Sequence, residues 1–349
     1  MYNMGSVKAA LYRGRGLVAV EDYPEPSGPG RGELILRVNR AAICGTDASE
    51  WAHGPLLARP PVILGHEFTG TVVAKGDGAD RFTVGDRVVC GAGASCGRCD
   101  WCAAGRSNLC ADYRTFGLHL DGGLAAYVAV PHDICLHVPE GVTDTAAAIA
   151  QPLAVALHAV RRSGLMAGRS CAVIGAGGIG ALVVAAAAAR GAYPLIALDI
   201  DDGRLETARQ LGAHITRNVR TADLAATLVA ETDGLGAHVV IESSGMAHAP
   251  AAALSGTRRG GTTLLVGLQA APREVDLFAI TAREVNIATT LAHVCGTDLP
   301  ESLRLLAERP LADIVLDRVI PLADLVEQGL RPLAGGTARG KIVVDPGDA

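Results

Sequence analysis

The segment from Ser170 to Arg190 constrains the fold of this chain most strongly. A short apolar strand is predicted there at 170–174, followed by the glycine-rich turn GAGGIG and an Ala-rich helix at 178–190. In that context G-x-G-x-x-G lets a pyrophosphate approach the backbone at a helix N-terminus, which indicates a dinucleotide-binding unit. The alternative is a glycine turn that only packs a helix on a strand. Residues 171–189 carry no charge, but GAGGIG would break a membrane-spanning helix, so we do not expect one.

Strands and helices continue to alternate after this segment. Strand 194–199 leads to helix 202–211, and further buried strands are predicted at 237–241 and 262–266, which favours a parallel, doubly wound sheet. Asp199 ends the strand that follows the glycine turn, where a carboxylate binds ribose hydroxyls. Since no Arg or Lys follows it immediately, NAD is favoured over NADP. The predicted cofactor contacts are Gly175, Gly177, Gly178, Ile179, Gly180, Asp199, Arg204, Ser243, Val266 and Leu291.

The first 150 residues have a different pattern, because short strands are broken there by Gly and Pro. Residues 33–38, 69–74 and 86–89 are examples, and they predict a β-barrel-like domain. After about residue 287 the strand and turn pattern is expected to return, with 340–344 as a closing strand of this first domain. A chain of 349 residues is long enough for two such domains.

Four cysteines form C-x2-C-x2-C-x7-C within a lobe at about residues 90–112. The spacing of Cys96, Cys99, Cys102 and Cys110 is typical of a closed, tetrahedral structural zinc site, the alternative being free or partly oxidised thiols. The remaining cysteines are scattered in apolar contexts and are predicted to be buried packing residues: Cys90, Cys135, Cys171 and Cys295.

A second metal-type cluster combines Cys44 with His66 and Glu67. One thiolate, one imidazole and one carboxylate form a ligand set that leaves room for a substrate at the metal. Asp47 is a candidate partner for the second nitrogen of the imidazole, and the Thr46 hydroxyl is a candidate proton relay. Each of these residues alone would more commonly be ordinary packing.

Net charge excludes one class of partner. A formal charge of −5 offers no basic surface for nucleic acid, and we also expect no membrane partner. The N-terminal sequence lacks a basic segment followed by an apolar core, so no signal peptide is expected. Clustered cysteines in such a chain are more typical of metal ligands in a cytoplasmic enzyme than of disulfides.

With these motifs in this order, the chain resembles the zinc-dependent medium-chain dehydrogenases over nearly its full length. GHE-x2-G-x5-G, the four-cysteine lobe and GAGGIG carry the resemblance, while CGTD, residues 151–160 and residues 326–330 look most like the polyol, butanediol and threonine dehydrogenase branch. The resemblance implies an α/β protein with a GroES-like catalytic domain (1–151 and 288–349) and a Rossmann NAD-binding domain (152–287). It also implies a homo-oligomer, a dimer or a homotetramer.

The resemblance further implies a catalytic zinc on Cys44, His66 and Glu67 or its neighbour. Where the branch usually has Glu before Pro-Leu-Ala, this chain has Gln151, a neutral and weaker possible ligand. Ser49 stands where the branch often has His, which argues against threonine as substrate. Ala292 stands near the position of an Arg that binds the polyol in sorbitol dehydrogenases, which argues against sorbitol.

The expected reaction is therefore the NAD(H)-dependent interconversion of a secondary alcohol and its ketone, with two zinc ions per chain. The small-molecule substrate would be a polyol, vicinal diol, cyclitol or sugar-type alcohol. Trp51, Phe116, His119 and His293 could line its pocket, with plain packing as the alternative for each. Two other functions stay open: a zinc-independent reductase of the same superfamily, and a non-catalytic nucleotide-binding protein.

Overall fold

A computed structural model describes residues 5–269 and 271–347 of the chain. Two compact units are present. The first contains the residues up to Ala154 and again those from Val294 onward, and the second contains Val155–His293. The boundaries expected from sequence were 151/152 and 287/288, and the second of these falls within a strand of the second unit.

The first unit begins as a β-rich domain. Its strands up to residue 137 are β1 (Ser6–Gly14), β2 (Leu17–Pro24), β3 (Glu33–Ala42), β4 (Val62–Ile63), β5 (Glu67–Lys75), β6 (Arg87–Cys90), β7 (Gly93–Ala94), β8 (Arg114–Thr115), β9 (Tyr127–Pro131) and β10 (Cys135–His137). The helices of this part are α1 (Gly45–His53), α2 (Asp100–Ala103) and α3 (Asp144–Ala148), with 3-10 turns at Ser107–Leu109 and His132–Ile134. Helix α4 (Ala150–Arg162) continues into the second unit.

The second unit alternates strands and helices. Its elements are β11 (Cys171–Ile174), α5 (Gly178–Ala189), β12 (Leu195–Asp199), α6 (Asp202–Gln210), β13 (Ile215–Asn218), α7 (Leu224–Ala230), β14 (Ala237–Glu242), α8 (Ala249–Gly256), β15 (Thr257–Leu265), α9 (Leu277–Thr281) and β16 (Asn286–Thr289). The strands form one parallel sheet in the order β13-β12-β11-β14-β15-β16. All residues of β11 and β12 are buried, as expected for a parallel sheet covered on both faces. The α/β fold class is confirmed.

The chain then returns to the first unit, and one prediction made for this part is wrong. Short strands and turns were expected after about residue 287, but most of the described residues from 295 to 334 are helical. The elements are α10 (Cys295–Glu308), α11 (Leu311–Val315), β17 (Leu316–Pro321), a 3-10 turn (Leu322–Asp324), a π-helix (Leu325–Leu330), α12 (Arg331–Ala334) and β18 (Lys341–Asp345). Leu299, Leu303 and Leu306 give α10 a buried helical face, whose period Gly296 and Pro300 obscure in the sequence.

The sheets of the first unit explain how its distant segments meet. Strands β10-β6-β5-β3-β18-β17 lie side by side, and β9 also pairs with β3. Residue Ala42 of β3 lies opposite Glu67 of β5, while Ala41 and Ala42 also lie opposite Val344 and Val343 of the closing strand β18. Three segments far apart in sequence are therefore adjacent where β3 ends.

Each unit has its own apolar core. In the first unit the ring of Phe68 meets that of Phe116 edge-on at 6.1 Å between centroids, within a cluster that includes Tyr12 and Phe82. Cys90 and Cys135 lie opposite one another on β6 and β10, fully buried, with their sulfurs 3.4 Å apart. No helix in the described ranges combines the length and the apolar character needed to cross a membrane.

Candidate zinc and dinucleotide sites

The mixed cluster forms where β3 ends. Cys44 is the N-cap of α1, and His66 and Glu67 stand at the start of β5, which the Ala42–Glu67 register sets beside β3. One ligand atom from each of Cys44, His66 and Glu67 lies within 4.8 Å of the other two. Antiparallel strand pairing therefore brings together residues that are 22 positions apart in the chain.

Asp47 faces the imidazole of His66. One oxygen of its carboxylate, Oδ2, accepts the backbone N–H of Cys44 at 2.9 Å, while Oδ1 lies 3.8 Å from His66 Nδ1. Among the described residues neither Oδ1 nor Nδ1 has a hydrogen-bond partner, although both are buried. A metal ion on Nε2 would leave Nδ1 protonated and directed toward this carboxylate, which is the usual arrangement for a ligating histidine.

The electrostatic surroundings of His66 also favour a cation at this site. Burial alone would lower its pKa, but the Cys44 sulfur and the Asp47 carboxylate outweigh burial and raise the pKa to about 10. Burial raises the pKa of Asp47 in turn. The cluster thus favours a positive charge on the imidazole, and a divalent metal ion would take the place of that proton.

Lys341 of β18 forms a buried ion pair with the carboxylate of Glu67. Its ammonium group donates to Glu67 Oε2 and, at 3.0 Å, to the carbonyl of Ile43, and it is buried. The carboxylate therefore already has one positive partner. Sequence reasoning missed Lys341, and the available signal was a cation at the start of a closing strand whose next three residues are apolar.

The other predicted residues of this site occupy the same unit. The Thr46 hydroxyl lies 3.6 Å from the Cys44 sulfur, close enough to polarise a thiolate. Gln151 is buried in the first turn of α4. Its role as a metal ligand stays a prediction.

The four-cysteine cluster is separate from the mixed one. One sulfur from each of Cys96, Cys99, Cys102 and Cys110 lies within 4.8 Å of the others, and the Cys99–Cys102 separation is 3.5 Å. A zinc tetrahedron with Zn–S bonds of about 2.3 Å has edges of roughly 3.8 Å, so the set fits that ion. Backbone N–H groups of Arg98 and Cys99 lower the pKa of Cys96 to about 6, which favours the thiolate needed for ligation.

The glycine turn has the geometry of a cofactor cradle. Gly175 has φ +86°, and a Cβ at Gly180 would lie 1.9 Å from the Gly175 carbonyl oxygen, so the turn itself requires both glycines. A Cβ at Gly177 would meet no protein atom within 4 Å. The protein's own packing therefore does not require glycine at 177, and the open space lies at the N-terminus of α5, where Gly178 and Ile179 begin the helix.

The carboxylate of Asp199 supports this turn. Its Oδ2 accepts the N–H of Ala176 at 2.7 Å, and its Oδ1 accepts those of Ile200 and Asp201 at 2.8 and 3.0 Å. The Arg204 guanidinium lies 3.8 Å from Oδ1. A basic group is therefore near Asp199 in space, although none follows it directly in sequence.

The remaining predicted cofactor contacts lie at different places in the second unit. The Ser243 hydroxyl lies at 2.9 and 2.8 Å from the carbonyls of Ile174 and Gly175, and Val266 donates its N–H to the Glu242 carbonyl at 2.8 Å. Ser243 follows the carboxyl end of β14, which is next to β11, and Val266 follows the carboxyl end of β15, one strand further away. Leu291 follows β16 and is 58% exposed.

The residues predicted to line the substrate pocket have different local environments, and their role there stays a prediction. Trp51 is half-buried on α1 beneath the Arg331 guanidinium, 5.5 Å from its ring centre, whereas Phe116 is in the core of the first unit. His119 lines a polar cavity of about 480 Å³ beside the cysteine lobe, where burial and then Arg59 lower its pKa. His293 is buried in the second unit.

Glu50 is a further residue that sequence reasoning missed. It is fully buried, and its carboxylate accepts the N–H groups of Leu56, Leu57 and Ala58 at 2.8, 2.6 and 3.3 Å. These hydrogen bonds fix part of the loop between Cys44 and His66. The side chains of Leu56 and Leu57 in this loop are exposed.

Two family descriptions match the chain. Residues 30–140 match the family described as "Alcohol dehydrogenase GroES-like domain", and residues 178–308 match that described as "Zinc-binding dehydrogenase". Among known proteins, sorbitol dehydrogenase of Bacillus subtilis (strain 168) is 33% identical over 290 residues, covering 79% of this chain and 82% of that protein.

Solved structures are similar over almost the whole chain. The 2R,3R-butanediol dehydrogenase of Bacillus subtilis has a TM-score of 0.89 and 30% identity, covering 98% of this chain and 100% of that one. A zinc-binding dehydrogenase of Sinorhizobium meliloti 1021, solved with NADP, has a TM-score of 0.89 and 31% identity, covering 98% and 99%.

Proposed function

Since the chain belongs to the zinc-dependent medium-chain alcohol dehydrogenases of the polyol branch, we propose that it interconverts a secondary alcohol and its ketone with NAD(H). The mixed cluster of Cys44, His66 and Glu67 is the observation that carries the proposal, because it is distinct from the four-sulfur cluster and has fewer protein ligands than zinc accepts. The names of the sorbitol and butanediol dehydrogenases support a polyol or vicinal diol as substrate, with cyclitols and sugar-type alcohols as further candidates.

Each residue of the cluster has a role in this reaction. Cys44, His66, Glu67 and, as a fourth candidate, Gln151 would hold a zinc ion, which supplies Lewis-acid activation of an alcohol when bound. Asp47, whose carboxylate lies 3.8 Å from Nδ1, would hold the orientation of the His66 ring. The hydroxyl of Thr46 would accept the substrate proton and pass it toward solvent.

The second unit would bind the dinucleotide. Gly175, Gly177 and Gly180 form a turn from which pyrophosphate oxygens could accept backbone N–H groups at the start of α5. Asp199 would accept the ribose hydroxyls, which favours NAD. Arg204, which lies close to Asp199, favours NADP instead. The similar dehydrogenase from Sinorhizobium meliloti was solved with NADP, which also supports NADP as the second candidate cofactor.

Metal analysis together with a substrate screen tests the proposal. We expect two zinc ions per chain, and NADH release with at least one member of a panel of vicinal diols, polyols, cyclitols, aminocyclitols and aldoses. Cys44→Ser should lose one zinc ion and all turnover, whereas the matched change Cys295→Ser, outside both clusters, should retain both. A wild-type chain with zinc only in the cysteine lobe would refute the catalytic assignment and leave the zinc-independent reductase.

The edge of the parallel sheet supports an oligomer. Strand β16 is the last strand of that sheet and contains Ile287, which is 48% exposed, while Leu277 and Phe278 of the preceding helix α9 are 66% and 83% exposed. Exposed apolar side chains at a sheet edge are typical of an interface, and here the partner would be a second copy of the chain in a dimer or homotetramer. Light scattering should give a smaller assembly for Ile287→Lys than for Val84→Lys, a control in the first unit whose side chain is 65% exposed.

We also propose a cytoplasmic location, which the chemistry of the cysteines supports. Seven of the nine cysteines belong to the two predicted metal clusters or to the buried pair Cys90–Cys135, and reduced thiols are required for zinc ligation.

A further inference from the structure

A cluster of basic side chains lies at the amino edge of the parallel sheet. His238 is the second residue of β14, Ser170 directly precedes β11, and Arg258 is near the start of β15. The glycine turn follows the carboxyl end of β11, so one whole strand, roughly 13 Å at 3.3 Å per residue, separates the two places. The cluster is therefore distinct from the cofactor turn.

The two guanidinium groups converge on one ring nitrogen of His238. The nitrogen Nε2 lies 2.9 Å from Arg169 Nη1 and 2.6 Å from Arg258 Nη1, and a guanidinium group can only donate, so Nε2 accepts. The other nitrogen, Nδ1, lies 2.7 Å from the Ser170 hydroxyl oxygen and 3.3 Å from the Ser170 backbone nitrogen. A neutral imidazole has one lone pair on Nε2, yet two cations are directed at it.

Local backbone structure holds Arg258 in this position. Residue Ala237 pairs with Thr257, but Val239 pairs with Thr262, so β15 contains an irregularity of several extra residues at this edge. Gly260 within it has φ +68° and donates its N–H to the Arg283 carbonyl at 2.9 Å. Bulges of this kind turn a side chain away from its regular direction, here toward His238.

Positive charge is uncompensated at this place. Within residues 5–269 and 271–347, the contacts of Arg169 and Arg258 include no carboxylate, and both guanidinium groups contact His238 instead. Two like charges held near one neutral acceptor are costly unless an anion joins them. We propose that Arg169, Arg258 and His238 form a binding site for a phosphate-type dianion, either inorganic phosphate or a phosphate monoester.

The donor arrangement selects this class of ligand. The two guanidinium groups and, once it is protonated, Nε2 would offer three donors to one bound anion, which suits the oxygens of a tetrahedral dianion better than the two oxygens of a planar carboxylate. Burial and the two guanidinium groups lower the pKa of His238. A bound dianion reverses the electrostatic part of that effect, so ligand binding and protonation of His238 support each other.

Calorimetric titration of the zinc-loaded full chain with inorganic phosphate, at constant ionic strength set by chloride, tests the site. The titration is run with and without saturating NADH, so that phosphate in the cofactor turn is recognised by its loss when NADH is present. Glycerol phosphate in a second arm distinguishes a monoester from the free ion. The pKa of His238 is followed in parallel by imidazole NMR, with the signal assigned by its absence in His238→Asn.

We expect saturable binding that persists with NADH, and a rise in the pKa of His238 on adding the anion. Arg169→Gln and Arg258→Gln should each weaken binding about tenfold or more, as expected for loss of a charged hydrogen bond. Arg209→Gln, which removes a guanidinium paired with Glu206 elsewhere in the same unit, should bind as wild type does. Equal binding by all three variants, binding that NADH abolishes, or an unchanged His238 pKa with both anions would each overturn the proposal.

Discussion

Replacing Lys341 by Met should lower the free energy of unfolding of the first unit more in the metal-free chain than in the zinc-loaded chain. Lys341 and Glu67 are 6% and 2% exposed, and their ion pair lies beside Cys44 and His66. Removing one partner of a buried ion pair typically costs about 3–5 kcal/mol, because the other charge stays buried and unpaired. We expect that loss in the free energy of unfolding of the metal-free chain.

Zinc should restore part of this loss. A divalent ion near Glu67 supplies the missing positive charge, so the zinc-loaded variant should lose only the contribution of the unsatisfied Ile43 carbonyl, about 1–3 kcal/mol. The difference of about 2 kcal/mol must appear as tighter binding by linkage, which corresponds to roughly a 30-fold gain in zinc affinity. Lys341 would then be a competitor of the metal for the carboxylate.

Urea unfolding followed by tryptophan fluorescence measures the effect, because Trp51 and Trp101 both belong to the first unit. Zinc affinity is measured by competition with a chromophoric chelator. Lys75→Met is the control, since its pair with Asp80 at 3.9 Å is exposed and should contribute little. Equal losses with and without zinc, or weaker zinc binding, would refute the competition and assign Lys341 to holding Glu67 in place for the metal.

Four further changes test other parts of the protein. Asp199→Ala should weaken NAD binding by about 1–3 kcal/mol and reduce the preference for NAD over NADP, because a charged hydrogen bond to ribose is lost. If the wild-type chain prefers NADP in a binding titration, this role of Asp199 is contradicted. Cys99→Ser should lower the melting temperature by loosening the cysteine lobe while the folded fraction keeps its other zinc ion, and loss of turnover at unchanged melting would mean that the two clusters are assigned the wrong way round. Gln151→Glu should slow zinc loss to a chelator, because added negative charge neutralises the cation more fully, and an unchanged rate would place Gln151 away from the metal. Burial and two guanidinium groups lower the pKa of His238, so its contribution to stability is present above the unfolded value of about 6.5 and is lost as pH falls below it; His238→Asn should flatten the fall in melting temperature between pH 7 and pH 5, and an unaltered profile would argue against that contribution.

Local sequence determined the features that depend on neighbouring residues. The glycine turn, the strand before it and the helix after it lie within twenty-one residues, and the four cysteines lie within fifteen, so backbone sterics and ligand spacing make both readable from the chain alone. The alternation of strands and helices across the second unit likewise predicts a parallel sheet, because each element has its own hydrophobic period.

Tertiary structure decided whatever depends on pairing between distant strands. Cys44 meets His66 through the register of β3 with β5, and Lys341 reaches Glu67 because β18 pairs with the other side of β3. No local pattern encodes a register, which follows from how whole strands bury their faces. The same holds for the amino edge of the parallel sheet, where Arg169 and Arg258 meet at His238 only because three strands start side by side.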